Sequence, residues 1–559
     1  MDLPQPSGAP ATPVELSRRG SHYRGVGLYD VPTPTIPAAM RAAWVRGETI
    51  PLQEIDQSTG GLGFVKVSAF GTVIRAIALV EDPVVLGKPV KWAFGDGPIL
   101  VVADAGRLEN AFYDRESRSL QFFSYERPGA PRRYYTALSQ DIVTHETGHA
   151  LLDGIAPDLC DAGFPESLAI HESVADLTAV MVSLRSRDPF QHRPEPAAAL
   201  ESALASSRYS RVAEEFGRSR GDVDALRDAS NRRSLDSRVR AQARVVDRLS
   251  PHSLSQVLTG AVFSVLQRSL ATTLSELEEA GSNPHIGIGG SAAQGDPFRI
   301  AGLYAINRLG SLIYKGMDWL PPGEATMADA VRAMLAADEF HHPDLPAERI
   351  ALIDECARRR IATRAQLHGG TRHAVVRGSE GDREALLTDP DRALQFVWDH
   401  REKWGIPEVP LEVTSIESVR LQKPLLQRRH VAEIVSLDFA YPEPSTHEKV
   451  NIIKVAWWDR HPIRLPRARA RHSEYKSGTS IAIDTQGRLR ALLHTTRDAR
   501  FVSDRQDFLR QLVESSILLD PDDVPGDGQG ARHVHTDLDH RDLRIMGALR
   551  ALHGAGMGE

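Results

Sequence analysis

Two histidines stand four residues apart in the run His145-Glu146-Thr147-Gly148-His149. On a helix, positions i and i+4 share one face, so both neutral imidazoles could bind one metal ion. The carboxylate that follows the first histidine would lie beside that ion, where it could act as a general base. Because the chain contains 21 histidines, the run can also arise by chance, and a metal site needs a third ligand from elsewhere.

A second pair of polar side chains with the same spacing follows. Gly154 and Pro157 predict the end of the first helix, and residues 166–181 then predict a second, largely apolar helix. Glu172 and Asp176 lie four residues apart on it. Carboxylates on so apolar a helix are costly to bury unless a cation or its histidine ligands partner them. A solvated acidic stripe is one interpretation, and a zinc site with three protein ligands and a water is the other.

The sequence from Glu166 to Glu172, with Asp176 after it, resembles a motif of the thermolysin family of zinc endopeptidases. That family has H-E-x-x-H followed by a helix reading roughly E-S-x-A-I-N-E-x-x-x-D, and this chain differs at His171, where the family usually has asparagine. The resemblance implies that the zinc ligands are His145, His149 and Glu172. It also implies that Glu146 is the general base and that Asp176 fixes the tautomer of a ligand histidine.

The segment Glu109–Tyr113 resembles the N-A-F-W edge strand of the same family. An edge strand can pair with an extended peptide through its main-chain groups. The resemblance implies that Asn110 and Ala111 bind the substrate backbone. An ordinary strand with a buried phenylalanine is the alternative.

Two later segments, residues 226–236 and 247–252, resemble the family motifs L-R-x-M-S-x-P and D-x-x-x-x-H. The first implies that Arg227 donates hydrogen bonds to a substrate carbonyl, although a surface arginine is equally compatible. The second implies that His252 stabilises the negative charge that develops on the attacked carbonyl and that Asp247 orients its imidazole.

The chain departs from the family pattern at two places. The family usually has a tyrosine nine residues before its glutamate ligand, and Gly163 stands there. Loss of one oxyanion donor can lower turnover by about 10²- to 10³-fold, unless Phe164 or a loop amide fills the gap. Asp141 matches one acid of the calcium pair found in many relatives, but Ser183 stands at another such position, so we expect no calcium pair.

Composition disfavours several classes of protein. The chain has 559 residues, of which 41% are hydrophobic and 25% charged, and a formal net charge of -7; this is typical of globular proteins and disfavours a general nucleic-acid binder. The sequence shows no signal peptide and no long apolar run, which predicts a cytoplasmic protein without a membrane partner. Cys160 and Cys356 could form one disulfide at most, which fits a reducing compartment.

The predicted fold class is α+β, with a two-lobed thermolysin-like peptidase and a separate C-terminal α+β domain. We predict a flexible segment at residues 1–24 and a β-rich lobe at residues 25–140, with strands at FVKVSAF, VIRAIALV and PILVVADA. Residues 141–367 form the predicted helical lobe with the zinc site. Within it, Thr326 and Asp329 have the spacing of a helix capping pattern.

Residues 368–559 are predicted to form an accessory α+β module with a flexible tail. Asp389 and Pro390 predict the start of a helix that extends to Trp404. Strands are predicted at LEVTSIESVRL, HVAEIVSLDFA and KVNIIKVAWW, and TSIAIDTQGRLRALLHT predicts a hairpin that turns at residues 486–487. We expect that this module could bind a protein partner or cover the cleft, and so direct or restrain the peptidase.

Together these interpretations predict an endopeptidase with one zinc ion and a peptide or protein substrate. Zinc acidifies its bound water, and Glu146 would take up the proton during attack on the peptide carbonyl. Two alternatives stay open. One is a catalytically silent zinc scaffold used for protein binding, and the other is a self-processing peptidase whose C-terminal module carries the main function.

Overall fold

The computed structural model describes the chain in segments separated by gaps. These are residues 26–29, 62–126, 133–186, 211–212, 227–235, 250–282, 297–343, 345–368, 389–420, 449–463, 472–484, 488–514 and 542–543. The N-terminal segment that was predicted to be flexible, residues 1–24, lies outside them.

The N-terminal part combines one long helix with a four-stranded sheet. Helix α1 spans Leu62–Val80. The sheet has the order β1-β2-β4-β3, with strands at Val26–Tyr29 (β1), Ile99–Val102 (β2), Ala111–Asp114 (β3) and Ser119–Phe122 (β4). β1, β2 and β4 are parallel and β3 is antiparallel to β4, so β3 is an edge strand in the described part of the chain. Two short strands, β5 (Ser124–Glu126) and β6 (Arg133–Tyr135), pair beside the sheet.

The prediction of strands at FVKVSAF and VIRAIALV is wrong, because both segments belong to α1. Their β-branched residues favour strands locally. The buried positions recur every three or four residues, however, as expected for a helix packed along one side. These positions include Val65, Ala69, Val73, Ala76 and Val80. The third predicted strand, in PILVVADA, is confirmed as β2.

Helices dominate the central part of the chain. They are α2 (Gln140–Ile155), α3 (Pro165–Ser186), α4 (Ser250–Ser282), α5 (Pro297–Trp319), α6 (Met327–His341), α7 (Ala347–Arg358) and α8 (Arg364–His368). Two short strands between α3 and α4, β7 (Arg211–Val212) and β8 (Arg227–Asp228), pair with each other. α3 packs between α2 and α4, and α5 packs between α4 and α6. Thr326 and Asp329 form the predicted capping box at the start of α6.

Two of these helices have the length and hydropathy of membrane spans. The windows lie at Pro165–Arg185 in α3 and Pro251–Leu277 in α4, each with a mean hydropathy of 1.2. Inside the protein these windows are 100% and 72% buried, respectively. Their apolar side chains pack against neighbouring helices, as in the central helices of a large core.

The C-terminal part contains a sheet with a helix on one face. Helix α9 spans Pro390–Trp404, and the Asp389 side chain caps it, as predicted, by accepting hydrogen bonds from the N–H groups of Asp391 and Arg392. The strands are β9 (Glu412–Arg420), β10 (Lys449–Pro462), β11 (His472–Asp484) and β12 (Leu489–His494), in the antiparallel order β12-β11-β10-β9. Helix α10 (Ala499–Glu514) follows, and β13 (Asp542–Leu543) pairs with β11.

The predicted hairpin between β11 and β12 is confirmed by their antiparallel pairing, in which Thr479 lies opposite His494. The turn at residues 486–487 lies outside the described residues. So does the strand predicted at HVAEIVSLDFA.

The C-terminal sheet shares buried side chains with the helical part, and its separation as a domain stays a prediction. Successive residues of a strand point to opposite faces of a sheet. On one face, Ile453 and Ile481 pack with α9. On the other face, Ile452 and Ala482 belong to the same hydrophobic core as α1 to α8. The sheet is therefore a layer between α9 and the helical core.

A glycine marks how closely this layer is docked. Gly323 lies in the turn before α6, and a Cβ atom there would lie 2.2 Å from the Lys476 carbonyl oxygen of β11. Its φ of +98° also favours glycine. The turn and β11 therefore touch through their backbones.

Candidate metal centre

The two histidines of the H-E-x-x-H run face each other across one turn of α2. His145 Nε2 and His149 Nε2 are 3.0 Å apart, and their rings meet edge to face with centroids 4.6 Å apart. Both side chains are buried. The spacing of four residues therefore brings both nitrogen atoms to one point beside the helix.

The third side chain comes from α3. Glu172 is fully buried, and its carboxylate oxygens lie 3.4 Å from His145 Nε2 and 3.6 Å from His149 Nε2. The ligand atoms of these three residues lie within 4.8 Å of one another. Zinc bonds of about 2.0–2.2 Å in a tetrahedral arrangement separate neighbouring ligand atoms by about 3.3–3.6 Å. The donor types and their spacing therefore fit a tetrahedral divalent metal ion.

A glycine between the two histidines lets α2 and α3 approach each other. A Cβ atom at Gly148 would lie 2.9 Å from Ala175 Cα and 3.3 Å from Thr178 Cβ, both on α3. A larger residue would push the helices apart. The close packing is what brings Glu172 within reach of the histidines on α2.

Each ligand histidine has a partner at its other ring nitrogen. His145 Nδ1 lies 2.9 Å from Asp176 Oδ1. His149 Nδ1 lies 2.7 Å from His171 Nδ1. Such partners set the tautomer of a ligand histidine and hold its ring in place. Sequence reasoning assigned this role to Asp176 and assigned no role to His171. The sequence feature that could have pointed to His171 is that it replaces the asparagine usual in the family.

Glu146 is buried beside the ligands and is connected to β3. Its Oε2 accepts a hydrogen bond of 3.0 Å from the Tyr113 N–H. Asn110 stands immediately before β3, and its side-chain oxygen accepts a hydrogen bond of 2.9 Å from the Ala111 N–H. The predicted edge strand is therefore present and adjoins the metal centre, while the substrate-binding roles of Asn110 and Ala111 stay predictions.

The later predicted residues are only partly within the described structure. His252 lies in the first turn of α4, and its Nδ1 is 2.6 Å from Glu172 Oε2. Its side chain is 25% exposed, so it lies at the open side of the centre. Asp247 lies outside the described residues. The backbone of Arg227 forms part of β8, but its side chain also lies outside the described part of the structure.

Gly163, at the position of the missing tyrosine, and Phe164 beside it contact other parts of the chain. The Gly163 N–H donates a hydrogen bond of 2.9 Å to Glu324 Oε1. The Phe164 ring is buried against Phe501, with centroids 4.5 Å apart, and packs with Tyr475. Both residues are therefore used in contacts with the turn before α6 and with the C-terminal part.

A second buried cluster lies behind the metal centre. A carboxylate oxygen of Asp153, the sulfur of Cys160 and a ring nitrogen of His171 lie within 4.8 Å of one another. Asp153 accepts hydrogen bonds of 2.8 Å from the Tyr113 hydroxyl and 2.8 Å from Arg115 Nε. Burial raises the pKa of the Asp153 carboxyl, against the opposing effect of Arg115. Sequence reasoning did not connect Cys160 to His171.

Asp141 and Ser183, the positions compared with the calcium pair, lie in the first turn of α2 and near the end of α3. Both side chains are buried. The absence of a calcium pair stays a prediction.

No protein-family profile matches the chain, and no curated protein matches it. Among solved structures, the chain is similar to the precursor of protealysin, a metalloproteinase from Serratia proteamaculans, with a TM-score of 0.35 and 14% sequence identity. The alignment covers 55% of this chain and 81% of that chain. This similarity is distant.

Proposed function

We propose that this chain is a zinc-dependent endopeptidase that hydrolyses peptide bonds in extended segments of peptides or proteins. The observation that supports this proposal is the convergence of His145, His149 and Glu172, with the Glu146 carboxylate beside them. A zinc ion held by these three residues would supply a Lewis acid that lowers the pKa of water toward neutrality. The proposal also includes a cytoplasmic location and no nucleic-acid or membrane partner.

Glu146 acts as the general base in this proposal. It takes a proton from the attacking water and returns it to the departing amine. The hydrogen bond from the Tyr113 N–H fixes one oxygen of the carboxylate and so orients the group. Because Glu146 and the two histidines lie on one helix, the base keeps a constant position relative to the ligands.

β3 offers a surface for the substrate backbone. Tyr113 directs its N–H toward Glu146 on α2. In an antiparallel strand, residues two apart point their main-chain groups to the same side, so the Ala111 carbonyl faces that side as well. It can accept a hydrogen bond from a substrate N–H, and an extended peptide would then lie along β3 and beside the metal centre.

His252 is the proposed donor to the negative charge that develops on the attacked carbonyl. Its Nδ1 lies 2.6 Å from Glu172 Oε2, and its side chain is partly exposed, which supports this role because a substrate could reach the ring. A donor positioned there stabilises the transition state more than the ground state. With glycine at position 163, His252 carries more of this role than in a site that also has a tyrosine.

The test combines metal analysis with digestion of a peptide library by the purified full-length chain. We expect bound zinc and cleavage by the wild-type protein. Glu146→Gln should retain zinc and lower the cleavage rate by about 10²- to 10⁴-fold, because it removes the base. Glu116→Gln, which changes an exposed glutamate in the turn after β3, should leave both zinc content and cleavage unchanged. Full activity of Glu146→Gln would remove Glu146 as the base.

The same experiment separates the alternatives. Bound zinc without cleavage of any library peptide would favour the silent binding scaffold. Incubation of the purified chain with and without a chelator tests self-processing. A chain that stays full-length in both samples would argue against it.

A further inference from the structure

The two ligand histidines have chemically different partners. His145 faces the carboxylate of Asp176, whereas His149 faces the imidazole of His171 at 2.7 Å, with the two rings nearly parallel at 25° and centroids 4.9 Å apart. Ligand histidines usually donate their second N–H to a carboxylate, a backbone carbonyl or water. An imidazole in this position can accept only through a nitrogen that carries no proton.

The contact between His149 and His171 defines the tautomers of both rings. His149 Nε2 points to Glu172 and His145, so it needs its lone pair for the metal. The proton of neutral His149 is therefore on Nδ1, and this N–H donates to His171. Since His171 accepts on Nδ1, its own proton must be on Nε2. Only one combination of neutral tautomers satisfies both the metal and the 2.7 Å contact.

The cluster behind His171 stabilises that combination. A His171 ring nitrogen, an Asp153 oxygen and the Cys160 sulfur lie within 4.8 Å of one another. The negative charge of a carboxylate favours an N–H directed toward it. Asp153 is itself held by the Tyr113 hydroxyl and by Arg115. These hydrogen bonds from β3 and Arg115 fix the Asp153 carboxylate, which lies near His171, the partner of His149.

The same three residue types could also form a second cation site, but the contacts oppose this. The Arg115 guanidinium contacts both carboxylate oxygens of Asp153, so a positive charge already occupies that side. Burial also raises the pKa of the Cys160 thiol well above its usual value, which disfavours the thiolate that a metal needs. Asp153 thus pairs with Arg115 and lies near His171, and the cluster supports the metal centre from behind.

We propose that His171 is a positioning residue that fixes the tautomer and ring orientation of His149, and that the nearby carboxylate of Asp153 favours the accepting tautomer of His171. This proposal rests on the proposed metal site, and it goes beyond it by assigning the polar cluster of α2, α3 and the loop between them to metal binding. It does not depend on peptide hydrolysis.

The test compares two substitutions of His171 in the full-length protein. His171→Phe keeps a ring of similar size but removes the acceptor, so we expect zinc affinity to fall by about 10- to 100-fold. His171→Asn supplies an amide oxygen as acceptor and should restore affinity to within a few-fold of wild type. Zinc affinity is measured by competition with a chromophoric chelator. The visible absorption of the Co²⁺-substituted protein reports ligand geometry, and we expect it to change in His171→Phe and to be retained in His171→Asn.

A second measurement uses the wild-type protein and so does not depend on the folding of a variant. Nitrogen-15 NMR of histidine-labelled, zinc-loaded protein should show His171 protonated on Nε2 and His149 protonated on Nδ1. Observation of His171 protonated on Nδ1 would overturn the proposal, as would unchanged zinc affinity and Co²⁺ spectrum in a folded His171→Phe protein. Absence of zinc binding in the wild-type chain would overturn both this proposal and the proposed function. Zinc-loaded protein without peptidase activity would overturn only the latter.

Discussion

Buried carboxylates occur in two regions of this protein and have different partners in each. In the metal centre, Glu172 and Asp176 on α3 face the imidazoles of α2. In the contact of α10 with the turn before α6 and with the start of α3, which we call the docking contact, carboxylates face arginines. There, Arg505 of α10 pairs with Glu324, and Arg500 pairs with Glu166 at the start of α3.

The different partners of the carboxylates indicate a different role for each region. Carboxylates gathered with neutral imidazoles form a donor set that a cation completes. Carboxylates paired with guanidinium groups already have their opposite charge, and several hydrogen bonds fix the geometry of each pair. The first arrangement suits binding of an ion, and the second holds distant segments of the chain together. Because both regions include α3, substitutions on that helix can separate the two functions.

The largest effect is expected from Glu172→Gln compared with Glu166→Gln on the same helix. Glu172→Gln removes a ligand oxygen charge, and zinc affinity should fall by more than about 10²-fold, beyond the range typical of residues that only support a ligand. Glu166→Gln weakens the pair with Arg500 but leaves the donor set intact, so zinc should remain bound. Zinc titration of both variants checks this. Equal loss of zinc in the two would mean that the regions are not separable.

Arg505→Met tests the docking contact directly. Both Arg505 and Glu324 are buried, and breaking such a pair leaves an uncompensated charge, which should lower the free energy of unfolding by about 3–5 kcal/mol. Urea unfolding of the full-length chain measures it. Arg510→Met, on the exposed side of the same helix, should change stability by less than about 1 kcal/mol. A small effect of Arg505→Met would show that α10 is only loosely attached.

Acid should weaken the helical core through a third set of buried polar groups. Burial, together with the nearby positive charges of Lys315 and Arg308, lowers the pKa of His341 and His342 well below the usual value of 6.5. The unfolded chain therefore binds protons that the folded chain does not, so stability falls as pH drops below about 6.5, by up to about 1.4 kcal/mol per pH unit for each histidine. Unfolding between pH 5 and 7 measures this slope. His341→Phe should reduce it, because it removes one of the two histidines whose pKa is lowered.

The smallest effect is expected far from both regions. Asp389→Ala removes the side-chain cap of α9, which covers the opposite face of the C-terminal sheet. Loss of such a cap costs about 1 kcal/mol. Urea unfolding should show this decrease, and zinc affinity should not change. A change in zinc affinity would connect α9 to the metal centre and weaken the distinction between the two regions.

The features that sequence reasoning predicted correctly are encoded within a few residues. The pairs His145/His149 and Glu172/Asp176 and the caps at Thr326 and Asp389 all follow from spacings of four residues or fewer. Helix geometry converts such spacings directly into proximity. Local spacing does not predict that Glu172 lies beside α2. That prediction came from the resemblance, in which the motifs follow one another in the same order.

The docking contact could not be predicted in this way. Arg505 and Glu324 are separated by 181 positions, and Arg500 and Glu166 by 334. Nothing in local spacing indicates which arginine meets which carboxylate over such distances. The same limit explains why α1 was predicted as strands, since tertiary packing decides between helix and strand there.

The contact at Gly148 has a consequence for the choice of ion. Because α2 and α3 meet there without an intervening side chain, the backbone determines how far Glu172 stands from the two imidazoles. The Glu172 oxygens stand 3.4 and 3.6 Å from the two imidazole nitrogens, which suits bonds of about 2.0–2.2 Å and is tighter than the bonds of about 2.3–2.6 Å that calcium makes. The absence of one methyl group thus lets the three donors close around an ion of small radius.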